Sequence, residues 1–370
     1  MDLVTSPTAT AGALRSCTRA DSRVELGRFL LRIFEGVVGM KKPCLILVSL
    51  VIATGFVASG CGGLKVTIGP DSKEPLKEYT LEGKERGKVL IIPVRGFLSD
   101  APGKSLLGER PGTVQEVVAQ LRKAEKDDEI KAVLLEVNSP GGSITASDIL
   151  YHEIMAFKER TKAKIVAGLM DVATSGGYYI SLPADRIVAH PTTITGSVGV
   201  IFVNPKVMGL MDKLGVAVEV NKSGKEKDIG SPFRPSTPEE QKIFQELIDR
   251  MAKRFLDLVA KHRMMDQTLL SSVSTARIYS AEEALRLKLV DRVGYMSDAI
   301  AEAKDMSGLS KDARVVVYRR TKYANDTYYN TSTTLFNGQS PSLIDLNLAE
   351  IVPALGPGFY YLWAPGLAGN

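Results

Sequence analysis

A serine followed by two glycines, Ser175-Gly176-Gly177, stands just after an apolar run at residues 164–170, and this juncture constrains the chain more than any other. A short apolar run closed by Gly-Gly reads as a buried strand ending in a tight strand-to-helix turn. At such a turn the serine hydroxyl points outward while backbone N–H groups at the helix start stay free to bind an oxyanion. The same plan occurs one unit earlier. Lys131-Ala132-Val133-Leu134-Leu135-Glu136-Val137 ends in Asn138-Ser139-Pro140-Gly141-Gly142-Ser143, with a helical pattern from about Ala146. Two neighbouring strands ending this way bring one N–H each, from Gly142 and Gly176, to one carbonyl oxygen. Strand–helix alternation of this kind belongs to the α/β class.

A serine nucleophile needs a base. The chain has three histidines, His152, His190 and His262, and none lies in a glycine-rich turn. A lysine serves instead once burial makes its neutral form available near pH 7. Ser223-Gly224-Lys225-Glu226-Lys227-Asp228 offers Lys225 and Lys227, with Lys222 beside them. Local chemistry leaves that choice open, since a lysine in a charged loop is ordinarily a solvated surface residue.

Five motifs keep their order across roughly residues 88–304. They are Asn138-Ser139-Pro140-Gly141-Gly142, Thr174-Ser175-Gly176-Gly177-Tyr178-Tyr179-Ile180-Ser181, Ala184-Asp185-Arg186-Ile187, Thr195-Gly196-Ser197-Val198-Gly199-Val200 and the run from Lys222 to Pro232. Together they resemble the signal peptide peptidase family. The resemblance implies Ser175 as nucleophile and Lys227 as general base, with Lys222 the next candidate. It further implies that Ser197 hydrogen-bonds the lysine amine and that Gly142 and Gly176 form the oxyanion hole. The implied fold is that of Clp protease and crotonase, repeated ββα units with additional helices, assembled into a homo-oligomeric ring. Implied substrates are cleaved signal peptides and other apolar peptides, handled with no cofactor and no metal. Neither the Ser-Gly-Gly nor the Asn-Ser-Pro-Gly-Gly unit recurs, so the chain holds one core. Two other readings use the same turns: a crotonase-type acyl-CoA enzyme, which would not need Ser175 and Lys227, and a non-catalytic ring scaffold, which would have lost one of them.

Upstream, Met40-Lys41-Lys42 begins a basic stretch, residues 44–57 are apolar, and Val57-Ala58-Ser59-Gly60-Cys61 resembles a bacterial lipobox. The apolar stretch is short for a membrane span and suits a signal peptide. The resemblance implies lipidation at Cys61, with the mature chain on a bacterial envelope membrane, facing out of the cytoplasm. Residues 1–39 then read as an extension upstream of the true start at Met40. The expected organisation is 1–39 extension, 40–60 signal peptide, 61–86 linker, 87–305 peptidase domain and 306–370 strand and tail.

At 370 residues, with 44% hydrophobic and 24% charged residues, the chain can bury a sizeable core in one or two domains. Its net charge of +5 has no clustered basic stripe, which gives nucleic-acid binding no support. Cys17, Cys44 and Cys61 all precede the expected domain, so that domain has neither a disulfide framework nor a cysteine metal site. Strands are expected at 88–94 and 216–220, and a helix over 112–126. A further helix begins at Pro238 behind an N-capping Thr237, with a broad apolar stripe from Ile243 to Val259 expected as core. Ser280 caps another helix. Glu136, inside an apolar strand, requires a partner. The aromatic end at 359–363 is given no regular structure and is expected to meet membrane or a neighbouring subunit.

Overall fold

The computed structural model describes residues 74–105, 108–330 and 357–365. The expected extension, signal segment and Cys61 lie outside the described residues, as does 331–356 of the tail.

The elements follow one another in repeating groups. Strands β1 (Lys77–Glu82) and β2 (Glu85–Arg95) and the hairpin β3 (Gly103–Ser105) and β4 (Gly108–Arg110) lead to α1 (Thr113–Ala124). β5 (Ile130–Ser139) and β6 (Gly141–Ser143) lead to α2 (Ile144–Thr161). β7 (Lys164–Thr174) runs into the one-turn helix α3 (Gly176–Tyr179), followed by β8 (Arg186–Ala189), β9 (Ile194–Gly196) and β10 (Ile201–Val203). Then come α4 (Met208–Leu214), α5 (Pro238–Arg263), α6 (Gln267–Val273), β11 (Ile278–Ser280), α7 (Ala281–Arg286), β12 (Arg292–Val293), α8 (Met296–Met306) and β13 (Ala313–Arg319). A last strand, β14 (Gly358–Leu362), follows the undescribed part of the tail.

The main sheet runs β1-β13-β2-β5-β7-β8-β12 and is parallel from β13 to β12, with β1 antiparallel at one edge. Its central strands are largely apolar because both faces are covered. Leu90 and Ile92 of β2 pack with α1 and α2, while Val89 and Ile91, one residue out of phase, pack under Met296, Ala299 and Ile300 of α8. This is the mixed α/β, parallel-rich architecture expected from the strand–helix alternation. Glu136 finds its partner in Arg95, which forms an ion pair with it inside the sheet. Burial pushes its carboxyl up to about 7, against the opposing pull of Arg95 and Arg319.

β7 forks, and the fork positions the site. Its middle, Val166 to Leu169, pairs with β8, while its far end, Val172 to Thr174, pairs with β9. β6 leaves the main sheet and joins a second one in the order β10-β14-β6.

Three expectations change. Residues 216–220 form no strand, because no strand among the described residues offers them a ladder; Val216, Val218 and Val220 are exposed instead. The stretch expected as linker, 61–86, ends in β1, whose Lys77 to Glu82 pair antiparallel with β13. Helix α5 has the expected start, a capping box between Thr237 and Glu240 with Pro238 in the first turn. Of its apolar stripe, however, Phe255 and Val259 are buried, whereas Ile243 near its start is exposed.

Candidate active site

Ser175 sits between the end of β7 and the start of α3 with φ 51° and ψ −115°. A non-glycine residue at positive φ costs roughly 1–2 kcal/mol and persists only where its surroundings impose it. Here its N–H donates to Gly196 O at 2.8 Å, and its carbonyl accepts from Tyr179 N–H at 2.8 Å. Tyr178 and Tyr179 are fully buried behind it and lock the helix start. The result is a buried serine whose Oγ has no hydrogen-bond partner among the described residues.

Ser197 is brought alongside by the fork. Gly196 lies opposite Thr174 in the β7–β9 register, so Ser175 and Ser197 follow at neighbouring strand ends. Ser197 also has φ 51°, is largely buried, and donates its N–H to Arg277 O at 2.8 Å.

The two glycine turns meet through Gly141 and Gly176. Gly141 has φ +104°, a conformation that favours glycine, and a Cβ there would lie 2.8 Å from Gly176 N. A Cβ on Gly176 would lie 3.0 Å from Gly141 Cα and 2.5 Å from Ser147 Oγ. Gly142 is next to this contact, in β6. Its neighbours Gly141 and Ser143 bond to Leu98 on one side, through Leu98 N–H to Gly141 O at 2.9 Å and Ser143 N–H to Leu98 O at 3.0 Å.

Sequence reasoning missed what lies on the other side of β6. β14 runs antiparallel between β6 and β10, with Tyr361 opposite Gly142 and Phe359 opposite Phe202. Trp363 N–H donates to Pro140 O at 2.9 Å, and the alternation of an antiparallel ladder makes Tyr361 and Gly142 the next hydrogen-bonded pair. The Tyr361 carbonyl oxygen would be 2.0 Å from a Cβ on Gly141 and 3.0 Å from one on Gly176. An extended segment thus lies across both glycine turns beside Ser175. Its signal in the sequence was the compact run Gly358-Phe359-Tyr360-Tyr361-Leu362, flanked by Pro357 and Pro365.

A family model of peptidase family S49 matches residues 157–310, and one of Clp protease matches residues 110–193. A putative signal peptide peptidase SppA of Enterococcus faecium is 37% identical over 266 residues, 72% of this chain and 75% of that protein. The chain belongs to peptidase family S49. A putative protease of Synechocystis, slr0021, is 37% identical over 227 residues, 61% of this chain and 77% of that protein. Protease 4 of Salmonella typhi is 34% identical over 227 residues, and the match spans 61% of this chain but 35% of that longer protein.

In this S49 serine peptidase the two lysines differ in surroundings. Lys222 bonds Asp228 at 2.6 Å, and Asp228 also accepts from Arg234 at 2.9 Å. Arg234 first and Lys222 second hold the Asp228 carboxyl far below its usual range. Lys222 is therefore committed to an ion pair with Asp228. Lys227 is exposed, and among the described residues nothing bonds its amine; within one chain it does not meet Ser175 or Ser197 by a hydrogen bond. The loop carrying it follows a surface rich in exposed apolar side chains, Leu210, Leu214, Val216, Val218 and Val220.

Proposed function

We propose that this peptidase is a membrane-associated endopeptidase that cleaves signal-peptide remnants and other apolar peptides with a Ser175–Lys227 dyad. The observation that carries the reading is the strained, buried Ser175 with an unpartnered Oγ, set against the close contact of Gly141 and Gly176. Ser175 Oγ attacks the peptide carbonyl carbon and passes its proton to Lys227 Nζ. The oxygen that becomes negative is held by Gly142 and Gly176 N–H groups. Lys227 then gives the proton to the leaving amine as the C–N bond breaks, and water hydrolyses the Ser175 ester. Ser197 orients the lysine amine. The seating of β14 between β6 and β10 supports an extended substrate that adds a strand to an open groove.

The exposed Lys227 loop and the apolar side chains before it support assembly of each site between copies of the chain, in a homo-oligomeric ring. An exposed apolar surface of this kind ordinarily marks an interface. Cys61, outside the described residues, is read as the lipidated first residue of the mature chain, which would lie on the outer side of a bacterial envelope membrane. Its acyl chains, at roughly 0.8 kcal/mol per buried CH₂, suffice for stable anchoring. Among the described residues no helix is long and apolar enough to cross a membrane.

Mixing two inactive full-length variants tests the reading. Ser175→Ala and Lys227→Ala should each lose peptide cleavage. A mixture of the two should regain part of it, because one chain's Ser175 meets the other's Lys227. Cleavage retained in either single variant would contradict the dyad, and a mixture as dead as its parts would contradict its assembly between copies.

A further inference from the structure

All five N–H groups of the Arg234 guanidinium are engaged, and together they join the Lys227 loop to the start of α5. Nε donates to Asp228 Oδ2 at 2.9 Å and Nη2 to Asp228 O at 3.2 Å. Nη1 donates to Glu240 Oε2 at 3.1 Å and to Pro235 O at 3.0 Å, and Nη2 also bonds Glu240 Oε1. Glu240 is buried in the first turn of α5, where its Oε2 accepts from Thr237 N–H at 3.1 Å as half of the capping box. Asp228 is the residue after Lys227, and consecutive turns fix the main chain around both. Lys227 N–H donates to Gly224 O at 3.1 Å, Ile229 N–H to Glu226 O at 3.1 Å and Ser231 N–H to Asp228 O at 3.0 Å. Lys206 ties down the far end of these turns by donating to Ser231 O at 2.6 Å.

A buried glutamate requires a partner for its charge, and the two Arg234 bonds to Glu240 meet that need. Pairing Glu240 does not require Arg234 to hold Asp228 as well, by carboxylate and by main-chain carbonyl. We propose that Arg234 is a positioning residue for Lys227: it clamps Asp228 to the first turn of α5, so that the adjacent lysine projects from a fixed point on an otherwise exposed loop. α5 completes the connection. About four turns beyond Glu240 it packs Phe255 against Tyr179, in the helix that begins at Ser175. The clamp lies within one chain, so the loop is shaped before a second copy meets it and less ordering entropy is lost as the site assembles. A lysine at position 234 would keep the charge beside Glu240 but lack the planar fork that reaches both carboxylates at once. The clamp rests on the dyad reading above, and its test separates the two.

Full-length protein is treated with a fluorophosphonate, and the rate of Ser175 modification is followed by mass spectrometry in the parent, Arg234→Lys, Lys227→Ala and the double variant. Arg234→Lys should slow labelling at least about tenfold, since misplacing a reacting group by about 1 Å costs up to roughly 10²-fold. In the Lys227→Ala background the same change should alter the residual rate less than about twofold, because the clamp acts only through Lys227. In cleavage of an apolar peptide, Arg234→Lys should lower kcat and leave KM within about twofold, as expected of a group that acts on the base and not on the substrate. Asp228→Ala removes the loop-side carboxylate, leaves the Glu240 pair in place and should repeat the pattern; it decides the matter if Arg234→Lys does not fold. Thr237→Ala is the control for helix stability. It takes away the hydroxyl that caps Glu240 N–H at 3.2 Å, and it should lower the melting temperature while labelling stays at the parent rate. Slowing in Thr237→Ala equal to that in Arg234→Lys would overturn the clamp, as would slowing by one factor with and without Lys227. Parent-rate labelling in Arg234→Lys and Asp228→Ala, with Lys227→Ala slow, would overturn the clamp and leave the dyad. Parent-rate labelling in Lys227→Ala would sink both.

Discussion

Replacing Gly176 by alanine isolates the contact on which the site depends. Gly176 is not at positive φ, so the backbone itself tolerates the added Cβ. The obstruction is local: the new atom would lie 2.5 Å from Ser147 Oγ and 3.0 Å from both Gly141 Cα and Tyr361 O. Ordinary contact begins at 3.4 Å, so Gly141 must retreat by 3.4 − 3.0, or about 0.4 Å, and Ser147 Oγ by 3.4 − 2.5, or about 0.9 Å. Ser147 Oγ donates to Ser143 O at 2.9 Å, so turning it away breaks that tie to the end of β6, while the Gly141 backbone must itself shift. Crowding of this kind costs about 1–3 kcal/mol of stability, small beside the burial that holds the sheet. The Gly142 N–H is displaced from its aim, and losing one oxyanion donor lowers kcat by roughly 10²–10³. Thermal melts and peptide cleavage measured on the same preparation separate the two effects. A variant that melts a few degrees lower yet keeps kcat within about threefold of the parent would refute the argument that these glycines form the oxyanion site.

Other predictions follow from named contacts. Lys222→Ala should leave most cleavage activity, because Lys222 is tied to Asp228, whereas Lys227→Ala should lower kcat at least 10²-fold; the reverse order in a side-by-side assay would move the base to Lys222. Glu136 has its carboxyl raised to about 7 from 4.5, so its protonated form stabilises the fold fully below pH 4.5. That contribution, on the order of 3 kcal/mol from 1.4 kcal/mol per unit, disappears as pH rises through 7. Urea titrations from pH 4 to 8 should therefore show a smaller decline for Glu136→Gln, and parallel pH curves would contradict this. Phe157→Ala, which empties a buried position of α2 against the sheet, should cost about 3–5 kcal/mol by urea denaturation; a loss under 1 kcal/mol would mean the site collapses to fill the space.

The parts of the molecule legible in the sequence are those where local chemistry and burial agree. β5 and β7 are apolar runs closed by Gly-Gly, and each became a central strand because both of its faces are covered. Thr237-Pro238 and Ser280 fixed helix starts through side-chain caps that need no tertiary context. Residues 216–220 show the converse: alternating valines carry strand propensity, but a strand exists only where a partner offers a ladder, and none of the described residues does. β14 failed for the opposite reason. Its five residues gain their order from β6 and β10, more than 150 residues away in sequence, and nothing local announces that pairing. Within the site, the serines and glycines declare themselves through backbone constraints, which turn motifs encode. The packing of Tyr179 on Phe255, with ring centroids 4.9 Å apart, does not, because the two residues come from separate helices and look like ordinary core residues until the fold joins them.

The central claim is that Ser175 is the nucleophile activated by Lys227, and covalent labelling addresses it most directly. Full-length protein is treated with a fluorophosphonate, digested, and the modified residue read by tandem mass spectrometry. A single adduct on Ser175, absent from Ser175→Ala and slowed at least 10²-fold in Lys227→Ala, is the predicted result. An adduct on another residue, or labelling at the parent rate in Lys227→Ala, would contradict it.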